Sequence, residues 1–193
     1  AINVYYEINE QDNPTSNFQW EFVLVDDEQT KNAWCMPGGK IAFYSGILPI
    51  AKNKDGIASI MGHEIAHAVA RHSAERASRA ILMDAGTYAF ERFVLGTNLS
   101  GYSGELYGQI RQLGLELPFN RSQESEADYL GVIFMSLAGY NTEESYKVWE
   151  RMKEGIGSGP SEFWSTHPSP DNRIKKLKEW IPLVKAKYPA IST

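Results

Sequence analysis

His63 and His67 stand four residues apart, with Glu64 beside the first of them, inside a run from Lys54 to about Ala80 that has helical periodicity. Ile57, Ile60, Ile65, Ala68 and Val69 supply the apolar spacing and Asp55 lies near the start, so the segment is predicted to be a helix. At roughly 100° per residue the two histidines differ by only about 40° around the axis, one turn apart, which lets both imidazoles reach a single ion. Glu64 lies about 60° from His67, on the flank of the same face, where its carboxylate can stand beside an ion without being a ligand. A chain built on such a helix must bring a third ligand to it from elsewhere.

Average composition would generate this pattern by accident on the order of 0.01 times in a chain of 193 residues. The chemistry it suits is specific. Zinc held by two imidazoles and one further group keeps an open position for water, lowers the pKa of that water to around 7, and leaves a nearby carboxylate to take the proton. That arrangement can hydrolyse an amide.

The third ligand has few candidates. A histidine eleven positions after His63 would complete one pattern of zinc peptidases, but that position is Ala74. His72 lies about 140° from His67 around the helix, points away, and is expected at the surface. The segment Glu124-Ser125-Glu126-Ala127-Asp128 offers a carboxylate from a second helix. Glu124 and Asp128 share one helix face, while Glu126 points elsewhere. With Glu124 as a ligand, Asp128 can accept the other ring N–H of a ligating histidine and fix its orientation. A Glu-x-x-x-Asp pair alone is common on solvated helices. Its position downstream of the histidines, and ahead of Tyr129, Leu130, Val132, Ile133 and Phe134, gives it weight.

The remaining elements frame this pair of helices. Trp20 to Val25 reads as a strand. Asn32–Met36 and Lys40–Tyr44, separated by Pro37-Gly38-Gly39, read as an antiparallel hairpin with Gly38 at positive φ. Further helices are expected at about Ile81–Leu95, Gln123–Leu137, Thr142–Lys153 and Asp171–Lys185, with breaks at Gly96–Gly104, Gly139 and Gly155–Pro160. The fold class is α+β and mostly helical, with a small antiparallel sheet before the metal-binding helix. One domain spanning residues 1–193 is expected from 42% apolar and 22% charged composition.

Charge and composition exclude several partners. A net charge of −5 and a pI near 5.4 argue against nucleic acid or an anionic membrane. Lys175, Lys176 and Lys178, interleaved with Ile174, Leu177 and Ile181, read as the solvated face of an amphipathic helix. No apolar run approaches the roughly 20 residues that span a bilayer, so a soluble chain without a transmembrane segment is expected. The first residue is Ala1 and not methionine, which leaves room for a removed signal or anchor. Cys35 is the single cysteine, read as an inert buried thiol that says nothing of redox compartment.

Taken in order, four stretches resemble the gluzincin metallopeptidases of family forty-eight. They are Ala33 to Ile41 with Tyr44-Ser45-Gly46; Gly62 to His67 with Ala70-Arg71-His72; Arg121 to Glu124 with Ala127-Asp128; and Ser165-Thr166-His167-Pro168 with Arg173-Ile174. The similarity runs from about Asn32 to Leu177, and Asn120 stands where family members often have serine. It implies a zincin-like domain in which His63, His67 and Glu124 bind zinc, one ion per chain, and Glu64 is the general base. It also implies that His167 sits over the metal, either stabilising the oxyanion or approaching the ion as a fourth ligand. Arg121 and Arg173 read either as surface arginines or as partners that lock Glu124, Asp128 or His167.

The resemblance further offers Lys40–Tyr44 as the edge strand against which an extended substrate lies, an interior strand being the alternative, with unfolded or extended polypeptides as partners. The loop Gly96–Gly104 is read from composition as a gate. A location in the bacterial cell envelope, in the periplasm, is expected, with mitochondria as the alternative. Two other functions compete: a chaperone or scaffold for envelope proteins with little proteolysis, and a purely structural metal, which would usually have four protein ligands and no use for Glu64.

Overall fold

A computed structural model of the chain describes residues 1–76, 78–79, 81–82, 117–155 and 170–191. The described elements are helix α1 (Ile2–Ile8), strands β1 (Glu21–Val25), β2 (Ala33–Met36) and β3 (Lys40–Tyr44), the short helix α2 (Leu48–Ala51), and helices α3 (Lys54–Val69), α4 (Leu117–Leu137), α5 (Glu144–Gly155) and α6 (Pro170–Lys187). The chain divides into two compact units, Ala1–Ala70 with Glu124–Thr193, and Arg71–Gln123.

In the first unit, β2 and β3 form the expected antiparallel hairpin, pairing Ala33 with Phe43 and Met36 with Lys40. Gly38 and Gly39 both take φ of +89° in its turn. A Cβ on Gly39 would lie 2.9 Å from the Trp20 ring, so this glycine is required twice over. β1 joins on the other side of β3 in parallel register, Glu21 beside Lys40 through Val25 beside Tyr44, which makes the sheet mixed, in the order β1-β3-β2. Lys40–Tyr44 is therefore the central strand and cannot be the substrate-facing edge. Hydrogen bonding explains the correction: both of its edges are already used by neighbouring strands. The open edges belong to β1 and to β2, and β2 is the strand that packs on α3.

α3 starts where Asn53 caps it, the side-chain oxygen accepting the Gly56 amide at 2.9 Å. It stops earlier than its periodicity suggests. Ala70 closes the last turn and Arg71 adopts a φ of +58°. That left-handed residue breaks the helical path, so angles projected past it from His67 do not hold.

The apolar sides of the first unit's helices meet in one core. Ile60, Ala66 and Val69 of α3 join Leu130 and Ile133 of α4, Val148 and Met152 of α5, and Leu177 and Ile181 of α6. Ile41 and Phe43 bring β3 into the same cluster. The lysine-rich run of α6 lies as read, with Leu177 and Ile181 buried while Lys175, Lys176 and Lys178 are exposed. Gly139 takes a φ of +75° just past α4, at the expected break.

In the second unit, His72 is 1% exposed, which corrects the surface placement expected for it. Helical structure restarts there after the break at Arg71, and the buried Gln123 amide donates to the His72 carbonyl and to Glu75 while accepting from Arg76. Most of the helix expected at Ile81–Leu95, the loop Gly96–Gly104, the break at residues 156–160 and His167 lie outside the described residues. Among the described residues no helix is long and apolar enough to cross a membrane.

Candidate metal centre

Two glycines set the distance between the helices that carry the site. A Cβ on Gly62 would lie 3.1 Å from the Gly131 carbonyl oxygen, and a Cβ on Gly131 would lie 3.1 Å from the His63 amide nitrogen. α3 and α4 therefore touch backbone to backbone. Gly131 sits two turns past Glu124 on the same face of α4, so this close approach aims Glu124 and Asp128 at His63 and His67. Gly62 belongs to one of the family-like stretches, but Gly131 escaped sequence reading. Its only signal was a glycine inside an otherwise helical apolar run, which often marks close packing.

The donors converge as the spacing suggested. His63 Nε2 lies 3.1 Å from His67 Nε2 and 3.3 Å from Glu124 Oε2, and His67 Nε2 lies 3.2 Å from Glu124 Oε1. Ligands bound at about 2.0–2.1 Å to a tetrahedral ion are about 3.3 Å apart, so these separations already match the edges of a zinc coordination shell. His63, His67 and Glu124 are the one group among the described residues whose donor atoms could share a metal ion.

Charge balance points the same way. His63, Glu64, His67, Glu124, Asp128 and Arg173 are all buried, none more than 5% exposed. With both imidazoles neutral, as zinc binding requires, and the acids ionised, three carboxylates against one guanidinium give these buried groups a net charge of −2. Burying such an excess is costly, and a divalent cation neutralises it.

Asp128 stands behind the donors. Its Oδ1 lies 3.1 Å from His63 Nδ1, the nitrogen turned away from the donor cluster. Arg173 on α6 forks onto the same carboxylate, donating from Nε and Nη2 at 2.6 Å each, and its Nη1 pairs with Glu124 Oε2 at 2.9 Å. Of the two arginines singled out in the sequence, Arg173 is thus a buried partner of both acids, whereas Arg121 is exposed. Burial works to raise the Asp128 pKa, but the Arg173 guanidinium and His63 overcome it and hold the carboxyl below its usual value. Burial likewise disfavours the His63 cation, yet hydrogen bonds to Asp128 and Glu124 outweigh it and raise the metal-free pKa to about 9.

Glu64 is buried on the flank of α3, outside the converging set. Its charge is felt by Cys35 on β2, whose thiol is pushed up to about 12 by burial first and by Glu64 second. The cysteine is partly rather than fully buried, and its raised pKa makes it the inert thiol expected.

The model for peptidase family M48 matches residues 7–181 of this sequence. The chain belongs to family M48. Among its M48 relatives are the mitochondrial metalloendopeptidase OMA1 of Schizosaccharomyces pombe, 40% identical over 89% of this chain and 50% of the relative, and that of Saccharomyces cerevisiae, 39% identical over 85% and 48%. The beta-barrel assembly-enhancing protease of Yersinia pestis is 28% identical over 82% of this chain and 34% of the relative. The chain spans about half the length, or less, of these curated relatives. M48 metalloproteases use zinc, and the donor set on α3 and α4 suits that ion. The periplasmic expectation loses its support, because the two mitochondrial relatives are more similar than the bacterial one. Mitochondrial and bacterial relatives both occur, so similarity assigns no location.

Proposed function

We propose that this chain is a zinc-dependent endopeptidase that cuts unfolded or extended polypeptides. The observation that carries the reading is the convergence of His63, His67 and Glu124 at 3.1–3.3 Å, with Glu64 buried on the same helix and outside the ligand set. Zinc held by these three would act as a Lewis acid toward the scissile carbonyl and lower the pKa of water to about 7. Glu64 takes the proton from the attacking water and returns it to the leaving amine, a general acid–base role with a magnitude of about 10²–10⁴ in rate. Asp128 holds the Nδ1 proton of His63, so that Nε2 is free to bind. Arg173 keeps Asp128 ionised and orients both Asp128 and Glu124.

His167 retains two roles by family resemblance: stabilising the oxyanion or approaching the metal. His167→Ala separates them. Loss of turnover with unaltered metal affinity supports the first, weakened metal binding supports the second, and no change in either rejects both.

The open edge of β2, packed on α3, is the strand on which substrate would lie. A peptide pairing with it forms main-chain hydrogen bonds that depend little on sequence, which favours extended substrates and broad specificity. The test is cleavage of casein, abolished by a chelator and restored by zinc, alongside a folded protein compared with its denatured form. Chelator-insensitive cleavage would remove the metal mechanism, and equal cleavage of native and denatured forms would remove the substrate class.

A further inference from the structure

We propose that Trp149 on α5 is a positioning residue for the metal centre, acting through Arg173. This rests on the zinc peptidase reading above. The indole is buried and its ring lies 3.6 Å from Arg173 Cζ, in stacking contact with the guanidinium. A guanidinium donates hydrogen bonds only in its plane and stacks only through its face. Arg173 uses both directions at once. Its edge forks onto Asp128 through Nε and Nη2, its Nη1 stands 2.9 Å from Glu124 Oε2 as an ion pair without hydrogen-bond alignment, and its face rests on Trp149. The same indole meets the His63 ring edge to face, with centroids 6.0 Å apart and planes at 83°.

The stacking contact restrains the coordinate that Asp128 leaves free, rotation of the guanidinium about its bonds to that carboxylate. Without an aromatic face beneath it, Arg173 can tilt, keep Asp128 and release Glu124. Glu124 would then lose the contact that holds Oε2 beside His63 Nε2. The ion's affinity is thereby set partly from α5, which contributes no ligand to the converging donor set. Outer-shell groups of this kind change metal affinity by about 10–100-fold.

Two substitutions separate this role from simple core filling. Trp149→Phe keeps an aromatic face and Trp149→Leu does not, while both shrink the side chain and leave space in the core. Zinc affinity of the full chain is measured by competition with a chromophoric chelator, together with the melting temperature of each metal-free variant. Trp149→Leu is expected to weaken zinc binding on the order of tenfold and Trp149→Phe by no more than about threefold, although both lower the melting temperature. Should Trp149→Leu not fold, Trp149→Met, a flexible side chain without an aromatic face, takes its place with the same expected loss. Equal weakening by Phe and by the non-aromatic residue, or no weakening by either, overturns the proposal. Failure of the wild-type chain itself to bind zinc overturns instead the reading on which it rests.

Discussion

At His63 two carboxylates and a guanidinium surround one buried imidazole, and the balance sets how the site responds to pH. The metal-free pKa of about 9 exceeds the ordinary 6.5, so the stabilisation it gives is complete below about pH 6.5 and is lost as pH rises through 9. Asp128 is shifted downward from 3.8, so its contribution is present above that value and lost as pH falls further. The metal-free protein should therefore melt at its highest temperature between about pH 5 and 7, and lower above about pH 9, by scanning calorimetry. Zinc requires neutral histidine, so binding near pH 7 should release about one proton, read from titration calorimetry in buffers of different ionisation enthalpy. No proton release would contradict the protonated state inferred for His63. Cys35 gives an independent check on the flank of the site. With its pKa near 12, alkylation at pH 8 should be slower than that of a free thiol by on the order of a hundredfold or more, and denaturation should abolish the difference.

Between α3 and α4 the glycine contact decides whether four correctly spaced side chains become one site. Gly131→Ala places a methyl 3.1 Å from the His63 amide nitrogen and 3.2 Å from the Gly62 carbonyl carbon, where backbone must move to admit it. The variant should lose about 1–3 kcal/mol of stability in denaturant melts and bind zinc more weakly, because the histidines shift relative to Glu124. Unchanged zinc affinity would show that the crossing does not position the ligands.

The same elements show what periodicity can and cannot disclose. The pairs His63–His67 and Glu124–Asp128 were legible because a helix places fourth neighbours on one face whatever surrounds it. The turn between β2 and β3 was legible because Pro37-Gly38-Gly39 is local chemistry. Neither kind of signal reports partner choice. That β3 ends up central, with β1 parallel beside it, depends on pairing between distant segments. Helix α1 has no apolar period strong enough to announce it. The end of α3 at Val69 was hidden because Arg71, an ordinary helix former, takes the left-handed conformation usually left to glycine. Trp149 falls in the helix expected at Thr142–Lys153 with nothing in the sequence to single it out, and only its place under Arg173 ties it to the site.

For the molecule as a whole, the first unit holds His63, His67, Glu64, Glu124, Asp128 and Arg173 in one buried cluster, while the curated relatives are about twice as long or longer. The described machinery for binding an ion lies within that unit. The central claim is that three residues bind one zinc ion and a fourth performs the proton transfer. The direct measurement is zinc content per chain set beside casein turnover for wild type, Glu64→Gln and Glu124→Ala, each confirmed folded. The wild type is expected to carry one zinc and to cleave, Glu64→Gln to keep its zinc while turnover falls by about 10²–10⁴, and Glu124→Ala to lose both. Wild-type turnover in Glu64→Gln, or full zinc retention in Glu124→Ala, would contradict the account.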